Sequence, residues 1–512
     1  MDVATLLRRS ASFNRDRLAV IAGEQRATFG EVWRRGKQTA NVLRACGLRP
    51  GEPVAVLEEN SLMAADMYVG AAIANNPRVP LYARNRRVTH VQMLNNAGAK
   101  ALVVDEKFCD EVESVQDDVP TLETIIVRDS GYEEWLAEQP DEDPHVPIEP
   151  DDLFIIRHTG GTTGMPRGAA LTHQMWWRAA RDWFYLLPPP GRGDRFLHVG
   201  PISHASGFLV LPIWVAGGVQ VMAAGLTPAD LLDVLVREQV AYTFLPPTLL
   251  NTVAREEKPA GGFPALKAII TGSAPISEET VGRARRFFGA EKLWQLFGST
   301  EACPNAGMGP DEWLAEPEGS LPTTAAGVVF PWAEVEIRDE DRQEVPSGEA
   351  GEIWVRSDNS IKEYVNAPEE TERRIVDGWV ATGDIGRIDG NGYLYLIDRK
   401  NDLIISGGFN IYPGELENVI AGHPAVIEVA VFGVPHEKWG ETPVVVCYVA
   451  EDVEVCESDI VDLVADRLGS YKKPTLVEFR HEPLPKSPVG KIMRRSLREP
   501  YWRDRDRAVS GA

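Results

Sequence analysis

The sequence predicts an α/β protein: a large N-terminal α/β domain with a β-barrel-like subdomain, followed by a small, mobile C-terminal α+β domain. Three observations carry that prediction. The chain has 512 residues, beyond the ~250–300 at which single hydrophobic cores stop growing and chains divide. Over its first part, short apolar runs of strand length alternate with amphipathic stretches, the rhythm of a largely parallel sheet layered with helices. From about Ala333 the texture changes to shorter β-rich segments separated by Gly and Asp turns, as in antiparallel sheet or barrel.

The elements follow in order. The N-terminal Met1-Asp-Val-Ala-Thr-Leu-Leu-Arg-Arg-Ser10 has no long apolar segment and no small-residue cleavage site, and reads as a first amphipathic helix. Glu52-Pro-Val-Ala-Val-Leu-Glu-Glu-Asn60 reads as a buried strand and a turn. Ala101-Leu-Val-Val-Asp105, Thr124-Ile-Ile-Val-Arg128, Gly218-Val-Gln-Val-Met222 and Ala268-Ile-Ile-Thr-Gly272 repeat that signature. Glu334-Val-Glu-Ile-Arg338, Glu352-Ile-Trp-Val-Arg356 and Tyr393-Leu-Tyr-Leu-Ile397 are the β-rich segments. After about residue 402, Pro413-Gly-Glu-Leu-Glu-Asn-Val-Ile420 carries Pro at a natural first-turn position of a helix. Strands at Ile427-Glu-Val-Ala-Val-Phe-Gly433 and Thr442-Pro-Val-Val-Val-Cys-Tyr-Val449 complete the small domain.

Composition excludes several classes. Hydrophobic residues make up 44% and charged residues 25%, as in an ordinary soluble globular protein. No apolar run approaches the ~20 residues that cross a bilayer. The five cysteines are scattered without metal-ligand spacing, which fits free thiols in a reducing cytoplasm. A net charge of −23 argues against a nucleic-acid or anionic-membrane partner. Any site for an anionic nucleotide must therefore be locally positive against the global field.

The stretch richest in chemistry is Ile155-Ile-Arg-His-Thr-Gly-Gly-Thr-Thr-Gly-Met-Pro-Arg-Gly168. An apolar strand feeds a loop in which Gly160, Gly161 and Gly164 interleave with Thr159, Thr162 and Thr163. Glycines let backbone N–H groups approach a polyanion, hydroxyls add donors, and Arg167 adds a charge-assisted donor for phosphate oxygens. The spacing is not that of a Walker A loop, nor is a G-x-S-x-G nucleophile elbow present.

Here the chain resembles the adenylate-forming superfamily of acyl-CoA synthetases, peptide-synthetase adenylation domains and luciferases. The resemblance spans essentially the whole chain, because Gln295-Leu-Phe-Gly-Ser-Thr-Glu-Ala302, Trp379-Val-Ala-Thr-Gly-Asp384, Asp398-Arg-Lys-Asn-Asp-Leu-Ile-Ile-Ser-Gly-Gly408 and Pro485-Lys-Ser-Pro-Val-Gly-Lys491 follow in the family's order. It implies an adenylation domain over residues 1–400 and a lid domain over 402–512, hinged near Asn401. It also implies ATP, Mg²⁺ and coenzyme A as the small-molecule requirements.

The resemblance distributes roles as follows. Phe297, Gly298 and Ser299 belong to the nucleotide motif, with the Phe297 ring suited to lie against adenine. Thr300 donates to the α-phosphate, and Glu301 is a hard oxygen ligand for Mg²⁺. Asp384 takes the ribose hydroxyls, with Arg399 as the matching ribose or phosphate contact. Lys491 is the mobile catalytic lysine that bridges the substrate carboxylate and the α-phosphate. Pro201-Ile-Ser-His-Ala-Ser-Gly207 resembles the loop lining the acyl site, with His204 as its gate. Phe208, Gly272, Ser273 and Ala274 complete an apolar pocket. Ser406, Gly407, Gly408 and Trp439 line or flank a pantetheine tunnel, and Lys472 and Lys473 are candidate phosphate contacts.

Departures from the family pattern are His158, Gly161, Arg167, Phe297 and Asn401, where an aromatic, Ser, Lys, Tyr, and Asp or Lys are usual. Arg167 keeps the charge with different geometry. No Asp stands in His204–Phe208 to hold a substrate ammonium, so an α-amino acid is disfavoured and a hydrophobic or bulky acid preferred. The expected reaction is adenylation of a carboxylic acid and transfer to coenzyme A. An acyl-AMP ligase serving a carrier-protein thiol is the alternative, with a regulatory protein on a retired synthetase fold behind it. Monomer and homodimer both stay open.

Overall fold

The computed structural model describes residues 1–83, 85–159, 166–274, 276–407, 409–450, 455–486 and 492–502. Its two larger sheets belong to the first 400 residues. One runs, in spatial order, Thr124–Arg128, Ala101–Asp105, Val54–Leu57, Arg78–Pro80, Leu153–Thr159 and Arg167–Thr172. Every neighbouring pair is parallel except the last. Val54–Leu57 and Ala101–Asp105 are buried at every position, because helices cover both faces and leave no solvent side for polar alternation. The helix Phe29–Ala45 starts at a capping box of Thr28 with Glu31, and Leu62–Ala74 is apolar around its circumference and buried accordingly. The N-terminal helix, Val3–Phe13, is capped by Asp2 and buries Val3 and Leu7.

The other sheet has 14 strands. Its parallel part contains Val219–Met222, Arg195–His198, Val240–Phe244, Ala268–Gly272 and Leu293–Ser299. Leu293–Ser299 then turns through Thr300 and Glu301 into the antiparallel strand Ala302–Met308. Gly327–Val329, Tyr393–Arg399, Trp379–Ile388, Gly351–Arg356 and Glu334–Arg338 continue antiparallel. The β-rich region beyond Ala333 is thus hydrogen-bonded into the same sheet as the parallel strands. The change of direction falls on Thr300 and Glu301, and such switch points at the carboxyl ends of parallel strands leave crevices for ligands.

The C-terminal part has its own sheet of Phe409–Ile411, Ile404–Ser406, Gly440–Val449, Val426–His436 and Leu476–Arg480. Helices Pro413–Ile420 and Glu457–Leu468 join it around Ile404, Ile411, Leu416, Ile420, Val431, Val445, Ile460 and Val464. Among the described residues no helix is long and apolar enough to cross a membrane. All five cysteines are free thiols.

Candidate active site

The candidate residues gather where strands of both sheets end. Thr159 closes Leu153–Thr159, Gly272 closes Ala268–Gly272, and Glu301 follows Leu293–Ser299. His204 lies in the loop after Arg195–His198. Phe297, Gly298 and Ser299 form the end of their strand, and the Phe297 ring is buried with Ala302, Ala306, Ala326 and Ile337. A Cβ on Gly272 would sit 2.4 Å from the Leu296 carbonyl oxygen, so the close approach of these two strands requires glycine. Ser273 follows in the left-handed region (φ 66°), turning the chain toward Ala274. Gly160, Gly161, Thr162, Thr163 and Gly164 lie outside the described residues, as do Gly408 and Lys491.

Glu301 is buried, and its Oε1 accepts a hydrogen bond from the Tyr364 hydroxyl at 2.8 Å and a longer one from Thr159 Oγ1 at 3.4 Å. Both donors are neutral. Burial, with Glu301 adding to it, pushes the Tyr364 phenol far above its usual range, so it stays a donor. Among the described residues no lysine or arginine forms an ion pair with Glu301. Its carboxylate is thus held directly by hydroxyls, with the Arg167 and Arg399 guanidiniums acting on it from beyond ion-pair distance.

Two further polar groups stand beside it. Arg167, at the start of its strand, pairs with Glu370, and Glu370 Oε1 also meets Arg374 Nε at 2.9 Å. Arg374 Nη1 donates to the Ala381 carbonyl at 3.1 Å, three residues before Asp384 on the strand Trp379–Ile388. Asp384 is buried and faces Arg399 in register across two antiparallel strands, with Arg399 Nε 2.7 Å from Asp384 Oδ1. The Arg399 side chain keeps 56% exposure despite this pairing. The negatively charged chain therefore places Arg167, Arg374 and Arg399 around one crevice, although two of the three share Glu370.

The wall beside His204 is aromatic. Its ring meets Tyr82 edge to face at 5.8 Å. Phe208 stacks on Trp176 at 4.7 Å and 19°. Trp176 and Trp183 are buried core residues of the helix His173–Leu186, whereas Tyr185 is exposed. His158, where an aromatic was expected, is buried with Nε2 2.9 Å from Asn96 Oδ1, and burial pushes its pKa down to about 3.

In the C-terminal part, Ser406 is buried and Gly407 adopts φ 58°, its N–H donating to the Trp439 carbonyl at 2.8 Å. Trp439 is 41% exposed and stacks on His436 at 4.3 Å. Lys472 is buried and paired with Glu415, which ties it into the small domain and removes it as a free phosphate contact. Asn401 lies in the short turn Lys400–Asp402. Around that turn Arg494 reaches Asp398 at 3.2 Å, Asp402 at 2.9 Å and, through Nε, Glu417 at 2.8 Å. Burial raises the Asp398 carboxyl to about 6 despite the Arg494 charge.

Sequence reasoning missed Tyr364, Glu370, Arg374, Tyr82 and Arg157. The first four carry no local motif, since each acts across the fold. Arg157 did carry a signal: a charged residue inside an otherwise apolar buried strand.

Comparisons with known proteins agree with one another. The family model for AMP-binding enzymes matches residues 7–365, and that for the AMP-binding enzyme C-terminal domain matches 415–491. A long-chain-fatty-acid–CoA ligase of Mycobacterium tuberculosis is 33% identical over 482 residues, 93% of each chain. A fatty acid–[acyl-carrier-protein] ligase of Streptomyces coeruleorubidus is 31% identical, covering 96% of this chain and 95% of its own. Among solved structures, the amide bond synthetase of Marinactinospora thermotolerans superposes with a TM-score of 0.87 at 26% identity, covering 98% of this chain and 100% of that one.

Proposed function

The chain belongs to the AMP-binding enzymes, and from that premise we propose that it is an AMP-forming acid–thiol ligase. It activates a non-amino carboxylic acid with ATP and passes the acyl group to coenzyme A. The observation that carries this reading is Glu301, a buried carboxylate held by two hydroxyls at a parallel-to-antiparallel switch, beside the Asp384–Arg399 pair.

In the first half-reaction an oxygen of the acid attacks the α-phosphorus of ATP, the bond to the pyrophosphate oxygen breaks, and pyrophosphate leaves with its electron pair. Asp384 and Arg399 orient the ribose, and the loop from Thr159 to Gly164 with Arg167 holds the phosphates. Thr300 and Lys491 stabilise charge at the α-phosphate as it builds. Phe297 and Gly298 bound the base. Glu301 fits Mg²⁺ that arrives on the triphosphate, since such ions take one or two carboxylates with substrate phosphates. Bound there, the ion would neutralise phosphate charge. Tyr364 orients the Glu301 carboxylate that would receive it.

In the second half-reaction a thiolate attacks the acyl carbon, the bond to the AMP oxygen breaks, and AMP leaves. Rotation about Asn401 would exchange Lys491 for the Ser406–Gly408 face and Trp439. Lys491→Ala tests the assignment. It is expected to lower ATP- and acid-dependent pyrophosphate release roughly 100-fold or more while sparing thioester formation from pre-formed acyl-AMP. Pyrophosphate release unchanged by the substitution would remove Lys491 from the chemistry.

A carrier-protein thiol is the second acceptor. Phe409, Trp439 and Tyr471 are exposed at 58%, 41% and 52%, with Phe409 and Tyr471 rings 5.2 Å apart, a surface suited to a protein partner. The ligase of Streptomyces coeruleorubidus named above serves such an acceptor. Acylation of a carrier protein without turnover of free coenzyme A would favour it. The free thiols support a reducing, cytoplasmic setting.

A further inference from the structure

Arg157 is 2% exposed, yet among the described residues its guanidinium has one hydrogen bond, from Nη2 to the Ser203 carbonyl at 3.2 Å. Nε and Nη1 are buried without partners. No carboxylate within ion-pair distance balances it among those residues. The groups that act on it most strongly are Tyr82, Cys303, Arg78 and Tyr68. Burial pushes the Cys303 thiol up to about 12 and both phenols above their usual range, so none of these is an anion at neutral pH, and Arg78 adds like charge. Burial lowers Arg157 only to about 10, which leaves it cationic.

The surroundings locate this charge in the acid-binding wall. The guanidinium lies 4.3 Å over the Phe208 ring and 5.8 Å from Trp176, and its single acceptor, Ser203, precedes His204. Arg157 is two positions before Thr159 on the same strand, so both side chains take the same face, and the Thr159 hydroxyl reaches Glu301. A buried cation with unmade hydrogen bonds is costly unless something else completes it. Ring faces offset part of that cost, but they cannot accept the in-plane N–H bonds.

We propose that Arg157 is a specificity-determining residue whose guanidinium receives a second carboxylate on the acid substrate, so that the enzyme selects acids bearing an anionic group away from the carboxyl it activates. This rests on the acid-activation reading above and narrows its substrate class. A carboxylate supplies both the missing charge and planar acceptors for guanidinium N–H groups. A plain alkanoic acid would leave the cation bare.

The test compares matched pairs, octanoate with octanedioate and phenylacetate with 2-carboxyphenylacetate, on wild-type, Arg157→Met and Arg157→Lys enzyme, reading pyrophosphate release as kcat and KM separately. The diacid-to-monoacid ratio of kcat/KM is expected to fall roughly 100-fold in Arg157→Met, mostly through KM, and to recover in part in Arg157→Lys. Diacid is expected to raise the melting temperature of the wild type and not of Arg157→Met. Without ligand, Arg157→Met should melt no lower than wild type, because an uncompensated buried charge has gone; a lower melting temperature would mark Arg157 as structural and overturn the proposal. Adenylation with the same diacid-to-monoacid ratio in wild type and Arg157→Met would overturn this inference alone. Absence of pyrophosphate release with every acid in the wild type would overturn the ligase reading with it.

Discussion

Arg128 and Arg157 are both buried guanidiniums on strands of the same sheet, and they differ in how their charge is answered. Arg128 lies between two carboxylates, its Nε donating to Asp105 Oδ1 at 2.9 Å and its Nη2 to Glu58 Oε2 at 2.8 Å, with no side-chain exposure. Arg157 meets one carbonyl and two aromatic faces. Glu301 is its counterpart of opposite sign, bonded among the described residues by hydroxyls, with Arg167 and Arg399 acting on it from beyond ion-pair distance. A buried ion with its counter-ion built in holds the fold together locally. A buried ion without one, next to a crevice, is a place for a ligand to complete.

That contrast can be broken most sharply by stability. Arg128→Leu leaves Glu58 and Asp105 as buried uncompensated carboxylates and should cost about 3–5 kcal/mol in urea unfolding of the N-terminal domain. Arg157→Met should cost nothing, because it removes an uncompensated buried charge. Equal losses would erase the distinction.

Glu301→Gln sharpens it from the other side. The substitution keeps the shape and removes the charge, so adenylation kcat should fall about 100- to 1,000-fold, while urea stability changes by less than ~1 kcal/mol. A large loss of stability with little loss of rate would make Glu301 a structural acid.

Buried histidines extend the same logic to pH. Burial lowers His158 to about 3 and His173 and His198 to about 4. Between those values and the ordinary ~6.5, the unfolded chain binds protons that the folded chain refuses, so stability rises with pH. It is complete above about pH 6.5 and is lost as pH falls toward 4. At pH 5 each histidine should cost about 2 kcal/mol relative to pH 7.5. His158→Gln should flatten the slope by one such share; an unchanged slope would place a titratable partner at His158.

The smallest expected effect is at the hydroxyl that holds Glu301. Tyr364→Phe removes one hydrogen bond to a charged group, worth about 1.5 kcal/mol. Adenylation kcat/KM should drop roughly tenfold, with a higher Mg²⁺ requirement. An unaltered Mg²⁺ dependence would mean that Tyr364 serves packing alone.

Much of the fold was legible because its signals are local. Val54–Leu57, Ala101–Asp105, Thr124–Arg128 and Ala268–Gly272 are apolar runs of strand length, and Pro413 marks the start of the helix Pro413–Ile420. The antiparallel region was legible as β-rich, but the pairing of Gly327–Val329 with Tyr393–Arg399, which joins it to the large sheet, was not. That depends on which edges meet, and sequence patterning does not encode edges. Thr159, Glu301, Asp384 and Arg399 were legible through motifs that the chain keeps contiguous. Tyr364, 63 residues from Glu301, and Glu370, which answers Arg167, were not. Their partners are brought by folding, and a tyrosine or glutamate in a polar segment is unremarkable by itself. Lys472 shows the converse, a lysine that looked available and is taken by Glu415.

The central claim is that this enzyme makes an acyl-adenylate and then a thioester. Its most direct test is mass spectrometry of wild-type enzyme with ATP, Mg²⁺ and a panel of mono- and dicarboxylic acids, each with and without coenzyme A, alongside pyrophosphate detection. The account predicts acyl-AMP and pyrophosphate from at least one acid without coenzyme A, and acyl-CoA with AMP when coenzyme A is added. Bound ATP with neither pyrophosphate nor acyl-AMP from any acid would contradict it.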